Sequence, residues 1–140
     1  MALSVRTVDV WSTEIADQPG GLSTKLEKLS LAGVNLDFLI ARRQPDKPGM
    51  GVAFAVGIKG TKGTKAASAA GWQKTDAISG VRVEGGDKAG ACHKLLKKLA
   101  AANINLRGMS ASVIGKKFVT FLAFDSADAA AQATKLLKKE

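Results

Sequence analysis

Hydrophobic residues recur at helical spacing in two segments, and each segment follows a short polar turn. In the first, Leu22, Leu26 and Leu29 stand at i, i+4 and i+7, which is the spacing of one face of an α-helix. In the second, Leu95 and Leu99 lie on the same kind of face. The pattern therefore predicts two amphipathic helices in equivalent settings.

Stretches rich in β-branched residues flank both helices and predict strands. The helices are expected to end at Gly33 and Asn103, since both residue types tolerate left-handed backbone. The first series of elements is a strand around Val8 and Val10, the helix, a strand from Val34, a strand over 51–58, a helix over 62–70 and a short strand over 71–76. The second series is a strand around Val81 and Val83, the helix, a strand from Ile104, a strand over 118–124 and a helix over 126–138.

The two series are related as an internal repeat. Residues 17–36 align without a gap on residues 87–106, seventy positions later. A helical period alone does not require a shared Asp, Gly and Asn at fixed spacing, so the alignment indicates duplication. The identical pairs are Asp17/Asp87, Gly20/Gly90, Leu26/Leu96, Lys28/Lys98, Leu29/Leu99, Ala32/Ala102, Asn35/Asn105 and Leu36/Leu106, and the same offset places Glu14 on Glu84.

The element order β-α-β-β-α-β predicts an α+β, ferredoxin-like unit with an antiparallel sheet and both helices on one face. Two tandem copies are expected, over residues 1–76 and 77–140. The second copy is expected to lack its last strand, because its predicted sequence of elements stops with the helix over 126–138. An unpaired sheet edge is normally covered, so we expect the other copy or a second chain to cover it, and a homodimer is favoured.

The turn sequences carry a family resemblance. Residues 17–22 (DQPGGL) with 34–36 (VNL), and residues 83–90 (VEGGDKAG) with 103–106 (NINL), resemble ACT domains. Nearly the whole chain is similar to stand-alone tandem ACT proteins, which have no attached catalytic domain. The resemblance implies a regulatory module that binds a small ligand, most often an amino acid. It also implies that the ligand lies between paired units, where the turn of one faces the second strand of its neighbour.

The resemblance points to ligand-binding residues in both copies, with chemistry that suits an amino acid. The first N–H groups of a helix attract a carboxylate, Asp can accept an ammonium group, and Asn offers a donor and an acceptor. The same residues also have structural interpretations, since Gly permits a tight turn and Asp bonds turn backbone. The residues are Asp17, Gln18, Pro19, Gly20, Gly21, Leu22, Val34 and Asn35 in the first copy and Asp87, Lys88, Ala89, Gly90, Ala91, Ile104 and Asn105 in the second.

The composition indicates which cellular compartment and which classes of binding partner suit the chain. Lys and Arg outnumber Asp and Glu by 21 to 12, and the net charge of +9 attracts anions. One cysteine, Cys92, and one histidine, His93, can form neither an internal disulfide nor a four-ligand zinc site. No segment is apolar enough for a signal peptide or a membrane span. A cytoplasmic protein without metal, cofactor or membrane partner is expected.

Two other function classes compete with a ligand-binding module. The strand order and the segment 116–124 (KKFVTFLAF) are shared in outline with RNA-binding RRM domains. However, the chain has only five Phe, two Trp and no Tyr, which is few aromatic rings on which RNA bases could stack, so nucleic acid is disfavoured as a partner. Catalysis is disfavoured because Cys92 and His93 are neighbours on one helix and do not face each other. A module that contacts a regulated protein partner without any ligand remains the alternative.

Overall fold

A computed structural model of the chain describes residues 3–139. These residues form two compact units, each with its own sheet and core. The first, here called the inserted unit, comprises Asp9–Thr75. The second, called the split unit, joins residues 3–8 to residues 76–139 and so receives chain from both sides of the inserted unit.

The described residues contain eight strands and four helices. In chain order they are β1 (Ser4–Val8), β2 (Trp11–Ala16), α1 (Gly21–Leu31), β3 (Phe38–Arg43), β4 (Met50–Val56), α2 (Gly60–Ala69), β5 (Gln73–Lys74), β6 (Ser79–Gly86), α3 (Ala91–Ala101), β7 (Gly108–Ile114), β8 (Lys117–Phe124) and α4 (Ala127–Lys138). None of the helices in residues 3–139 is both long enough and apolar enough to cross a membrane.

The inserted unit has an antiparallel sheet in the order β3-β4-β2-β5. Its core gathers around Trp72, which is 1% exposed and donates its indole N–H to the Lys25 carbonyl at 3.0 Å. Ala53 and Ala55 of β4 lie in the same core and are fully buried. The small side chains of β4 thus share this core with two large aromatic side chains, Trp72 and Trp11 of β2, which is 7% exposed.

The split unit has an antiparallel sheet in the order β1-β6-β8-β7. Its core is built from aliphatic side chains and two phenylalanines, with Val81, Val83 and Phe124 fully buried. Leu137 of α4 is also fully buried in this core. Both units thus have the α+β, ferredoxin-like layering that the element order predicts.

No strand follows α4 within the described residues, as predicted for the second copy, and the fourth strand of the split unit's sheet comes from residues that were expected in the first copy. That strand is β1, which runs antiparallel to β6 with Ser4 opposite Glu84 and Val8 opposite Gly80. Val5 is 7% exposed and packs in the split unit's core. Residues 3–8 therefore leave the expected first domain, 1–76, and join the second. The predicted strand around Val8 and Val10 merges β1 with β2, because alternation does not reveal that consecutive strands enter different sheets.

The second strand of each copy begins later than predicted. Val34 donates its N–H to the Leu29 carbonyl at 3.0 Å, and Ile104 donates to the Leu99 carbonyl at 2.9 Å. These bonds close the ends of α1 and α3, so the residues after the helix satisfy helix carbonyls before any strand begins. β3 and β7 accordingly start four residues further on.

Candidate functional site

The turns before α1 and α3 are built alike. Asp17 donates its backbone N–H to the Gly49 carbonyl at 3.0 Å, and Asp87 donates to the Lys116 carbonyl at 2.9 Å. Each bond ties the turn to the hairpin loop beside it, between β3 and β4 or between β7 and β8. The turn and the edge strand of the hairpin are thereby held next to each other in both units.

Glycine at the end of each turn has a backbone reason. Gly20 has φ of 84° and Gly90 has φ of 81°, both in the left-handed region that side-chain-bearing residues rarely adopt. A Cβ at either position would meet nothing within 4 Å. The turn conformation therefore requires these glycines, while the space above them stays open.

The starts of α1 and α3 carry uncompensated positive charge. Their caps, Gly20 and Gly90, provide no side-chain hydrogen bond, and neither first turn contains an acidic residue. In contrast, Ser126 accepts the Ala129 N–H at the start of α4, where Asp128 lies in the first turn. Because helix N-termini attract anions, an external anion would compensate the dipole at α1 and α3, and also at α2, whose cap Lys59 provides no side-chain hydrogen bond and whose first turn contains no acidic residue.

A cavity of about 250 Å³ lies between the turn before α3 and the edge strand β7, and we call it the turn cavity. Its volume is just below the roughly 300–1,000 Å³ of sites for drug-sized ligands, so it suits a small metabolite. It is lined by Asp87, Lys88, Gly90, Ala91, Cys92 and His93 on the turn and helix side, by Ala111, Ser112 and Val113 of β7, and by Phe118 of β8.

A second cavity, about 270 Å³ in volume, adjoins the same turn, and we call it the lysine cavity. It extends from Leu3 to the side of α3 that carries Lys94 and Lys98, and Lys88 lines both cavities. Among residues 3–139, none of these three lysines forms an ion pair. The surroundings of the α3 N-terminus are therefore basic and favour an anionic group.

The split unit brings together most of the residues predicted for the second copy. Asp87, Lys88, Gly90 and Ala91 line the turn cavity, and Ala89 lines the lysine cavity. The other two predicted residues line neither. Ile104 packs against the core, and Asn105 is exposed.

In the inserted unit, the residues of the predicted site have partners within the unit. The Asp17 carboxylate accepts a hydrogen bond from Arg43 Nε at 2.8 Å and forms an ion pair with it. Gly21 donates its N–H to the Gln18 carbonyl at 3.0 Å, and a Cβ at Gly21 would overlap the carbonyl oxygen of Ala16. Pro19 lies exposed in the turn. These contacts give the first turn a structural explanation.

The remaining predicted residues of the inserted unit support the fold. Leu22 and Val34 are partly buried and pack against the core. Asn35 has an exposed side chain, while its carbonyl oxygen would lie 3.2 Å from a Cβ at Gly57, whose φ is 114°. The chain after α1 therefore runs close to the end of β4, and a glycine there permits the approach.

Sequence reasoning missed the side of the turn cavity that β7 and α3 provide. Cys92 is partly buried at the wall of this cavity. The repeat contains a signal for Val113. The offset of seventy aligns Val113 with Arg43, so the two copies differ at this position by an apolar and a charged residue. Across residues 3–139, no cluster of three or more His, Cys, Asp or Glu residues is placed to hold a metal ion.

Ion pairs fix the repeated glutamates outside the cavities. Glu14 accepts from Lys47 at 2.9 Å, and this hydrogen bond raises the pKa of Lys47. Glu84 lies 3.2 Å from Lys117 and 3.1 Å from Arg82, and hydrogen bonds from these two cations lower the pKa of Glu84. In both units, therefore, the repeated glutamate, on β2 or on β6, forms an ion pair with a nearby lysine or arginine.

No family model and no curated protein sequence matches the chain. Solved structures do match it. A protein from Bacteroides thetaiotaomicron has a TM-score of 0.77 at 17% identity, over 94% of this chain and 88% of its own. The ligand-free regulatory subunit of aspartate kinase from Thermus thermophilus has a TM-score of 0.67 at 16% identity, over 100% and 98%. The corresponding Thermus flavus subunit has a TM-score of 0.60 at 17% identity, over 98% and 95%. The fold is the tandem ACT-type arrangement that the turn sequences resemble.

Proposed function

We propose that this chain is a non-catalytic regulatory module that binds a small amino acid or a related metabolite at the turn before α3. The observation that carries the proposal is the turn cavity, which combines an Asp87 carboxylate with an uncapped helix N-terminus in about 250 Å³. A zwitterion presents one charge to each of these two groups. The neighbours named as regulatory subunits of aspartate kinase support a regulatory role.

The two charges of an α-amino acid match the two ends of the cavity. Its carboxylate would meet the N–H groups of Cys92 and His93 in the first turn of α3, since Ala91 donates its own N–H to the Lys88 carbonyl at 3.1 Å, and it would also meet the Lys88 ammonium. Its ammonium group would meet Asp87. Charge-assisted hydrogen bonds of this kind are stronger than neutral ones, so a ligand that carries both charges should bind better than one that carries either charge alone.

Binding would be read out as a change in association between ACT-like units. β7 is an edge strand of the split unit, and its sequence GMSASVI contains no charged residue and no proline. Such an edge offers unpaired backbone groups to another strand. We propose that a second copy pairs along β7, so that the ligand lies where ACT-like units meet, and that the resulting dimer contacts a regulated protein partner in the cytoplasm.

A thermal-shift screen of the full chain against each of the twenty amino acids tests the ligand. An amino acid at a hundred times its dissociation constant should add about 2.7 kcal/mol to the free energy of unfolding. Short RNA serves as the comparison, since the chain carries a net charge of +9. A flat amino-acid screen would contradict the proposal, and a salt-sensitive response to RNA alone would favour nucleic-acid binding instead.

An interaction module without a ligand is the second candidate, and the exposed β7 edge is the observation in its favour. Val113 is 54% exposed on this strand. Sedimentation with and without the amino acids separates the two candidates. Dimerisation that no amino acid alters would favour the module without a ligand.

A further inference from the structure

The sheet registers show which residues of the two units occupy equivalent positions. In the inserted unit, Ile15 lies opposite Gly51, which lies opposite Arg43. In the split unit, Gly85 lies opposite Phe118, which lies opposite Val113. Ile15 and Gly85 are seventy positions apart, as are Arg43 and Val113, so arginine and valine occupy the same place on the two edge strands.

This single exchange changes the surroundings of the repeated aspartate. Arg43 reaches across to the turn and places its Nε 2.8 Å from the Asp17 carboxylate. In the split unit a valine stands at that position, and Val113 and Asp87 line the same cavity. Within residues 3–139, the Asp87 carboxylate has no ion-pair partner. One copy thus supplies a cation to its own aspartate, and the other leaves that place to an external cation.

We infer that the two copies are unequal in binding: Val113 opens the turn cavity to the ammonium group of a ligand, whereas Arg43 takes that place in the inserted unit. The inference rests on the proposed function and assigns its site to one copy. It makes residues 43 and 113 the determinants of how many ligands one chain binds, and it predicts one ligand per chain.

The lining of the turn cavity narrows the class of ligand. Beside Asp87, the walls are apolar or small, with Ala111, Val113 and Phe118. Lys88 lies near the helix N-terminus and would repel a second positive charge on the ligand. The ligand class is therefore an α-amino acid with a small, uncharged side chain, whose ammonium group pairs with Asp87 and whose side chain contacts the β7 wall.

Calorimetric titration of variants with each amino acid that shifts the wild-type melting temperature tests this assignment. Val113→Arg should supply Asp87 with an internal cation, as Arg43 does for Asp17, and should weaken binding by about tenfold or more. Leu31→Arg is the control. It adds the same charge outside β7, at a side chain that is 77% exposed at the end of α1 and lines neither cavity. Leu31→Arg should bind like the wild type.

Arg43→Val provides the reciprocal measurement. Removal of the guanidinium leaves Asp17 without its cation, and the stoichiometry should rise from one ligand per chain to two. Wild-type affinity in Val113→Arg, an equal loss in Leu31→Arg, or an unchanged stoichiometry in Arg43→Val would each overturn the inference while leaving the proposed function standing. A wild-type chain that binds none of the twenty amino acids would overturn both.

Discussion

The two units share one fold but complete their sheets differently. In the inserted unit the edge strand next to β2 is β5, which has two residues, both exposed. In the split unit the strand beside β6 is β1, which has five residues and buries Val5. The inserted unit instead buries Trp72 just before its short strand. The two sheets are therefore completed differently. A two-residue strand after a buried tryptophan forms the outer strand of the inserted unit, and residues 4–8, from the other side of the inserted unit in sequence, form that of the split unit.

The two units also differ in where they place a large and a small residue at one pair of facing positions on neighbouring strands, close to the turn. Ile15 faces Gly51 in the inserted unit, and Gly85 faces Phe118 in the split unit. A Cβ at Gly85 would lie 2.8 Å from the Phe118 ring. The glycine on β6 thus makes room for the aromatic residue that lines both cavities, so the exchange is tied to the presence of the candidate site.

The largest effect is expected from disrupting the strand that closes the split unit. Val5→Asp would bury an unpaired carboxylate in the core and should reduce the free energy of unfolding by about 3–5 kcal/mol. Gln73→Asp on the equivalent short strand of the inserted unit should change it by less than about 0.5 kcal/mol, because that side chain is exposed. Urea unfolding measures both.

Hydrogen exchange would locate the loss from Val5→Asp. Amides of β6 should lose protection in that variant, while amides of β2 keep theirs, because the two strands belong to different sheets. Equal destabilisation by both substitutions would contradict the claim that only one unit depends on its fourth strand.

A double-mutant cycle tests the exchange of large and small residues. Gly85→Ala should cost about 1–3 kcal/mol in the presence of Phe118, and less in a Phe118→Ala background, where only the contact with the end of the Leu3 side chain, at 2.7 Å, remains. The coupling between the two positions should lie within about 0.5–3 kcal/mol. Urea unfolding of the four proteins gives this value directly.

The inserted unit provides the matched control for that cycle. A Cβ at Gly51 would lie 3.0 Å from the Ile15 side chain but also 2.8 Å from the Arg42 carbonyl oxygen. Truncation of Ile15 removes the first contact and leaves the second, which belongs to the backbone. Ile15→Ala should therefore fail to rescue Gly51→Ala. Rescue in both units would show that the packing around the two glycines is equivalent.

The sequence predicted the fold through its repeat and predicted the site only in part. Periodicity and the aligned turns located α1, α3 and the element order, because local spacing and turn chemistry determine them. The sheet that β1 enters depends on packing of Val5 against distant residues, which no local pattern records. Likewise, the turns predicted ligand-binding residues at both Asp17 and Asp87, and only the edge strand reveals that Arg43 pairs with Asp17.

The smallest effect is a difference in pH dependence between the two repeated glutamates. Because Lys117 and Arg82 lower the pKa of Glu84 below its ordinary value of 4.5, its contribution to stability is present above that value. The contribution is lost as the pH falls through the lowered pKa of the folded state. The advantage of the wild type over Glu84→Gln should therefore shrink as solutions are acidified, and also when salt is added.

The pair in the inserted unit should respond at the opposite end of the pH scale. Glu14 raises the pKa of Lys47 above its ordinary value of 10.5, so this pair stabilises the fold below that value and loses its effect as the pH rises through the raised pKa. Lys47→Met should accordingly differ from the wild type at neutral pH and converge with it in strong base. Urea unfolding across both pH limits separates the two pairs, and acid sensitivity that survives in Glu84→Gln would assign it to other carboxylates of the chain.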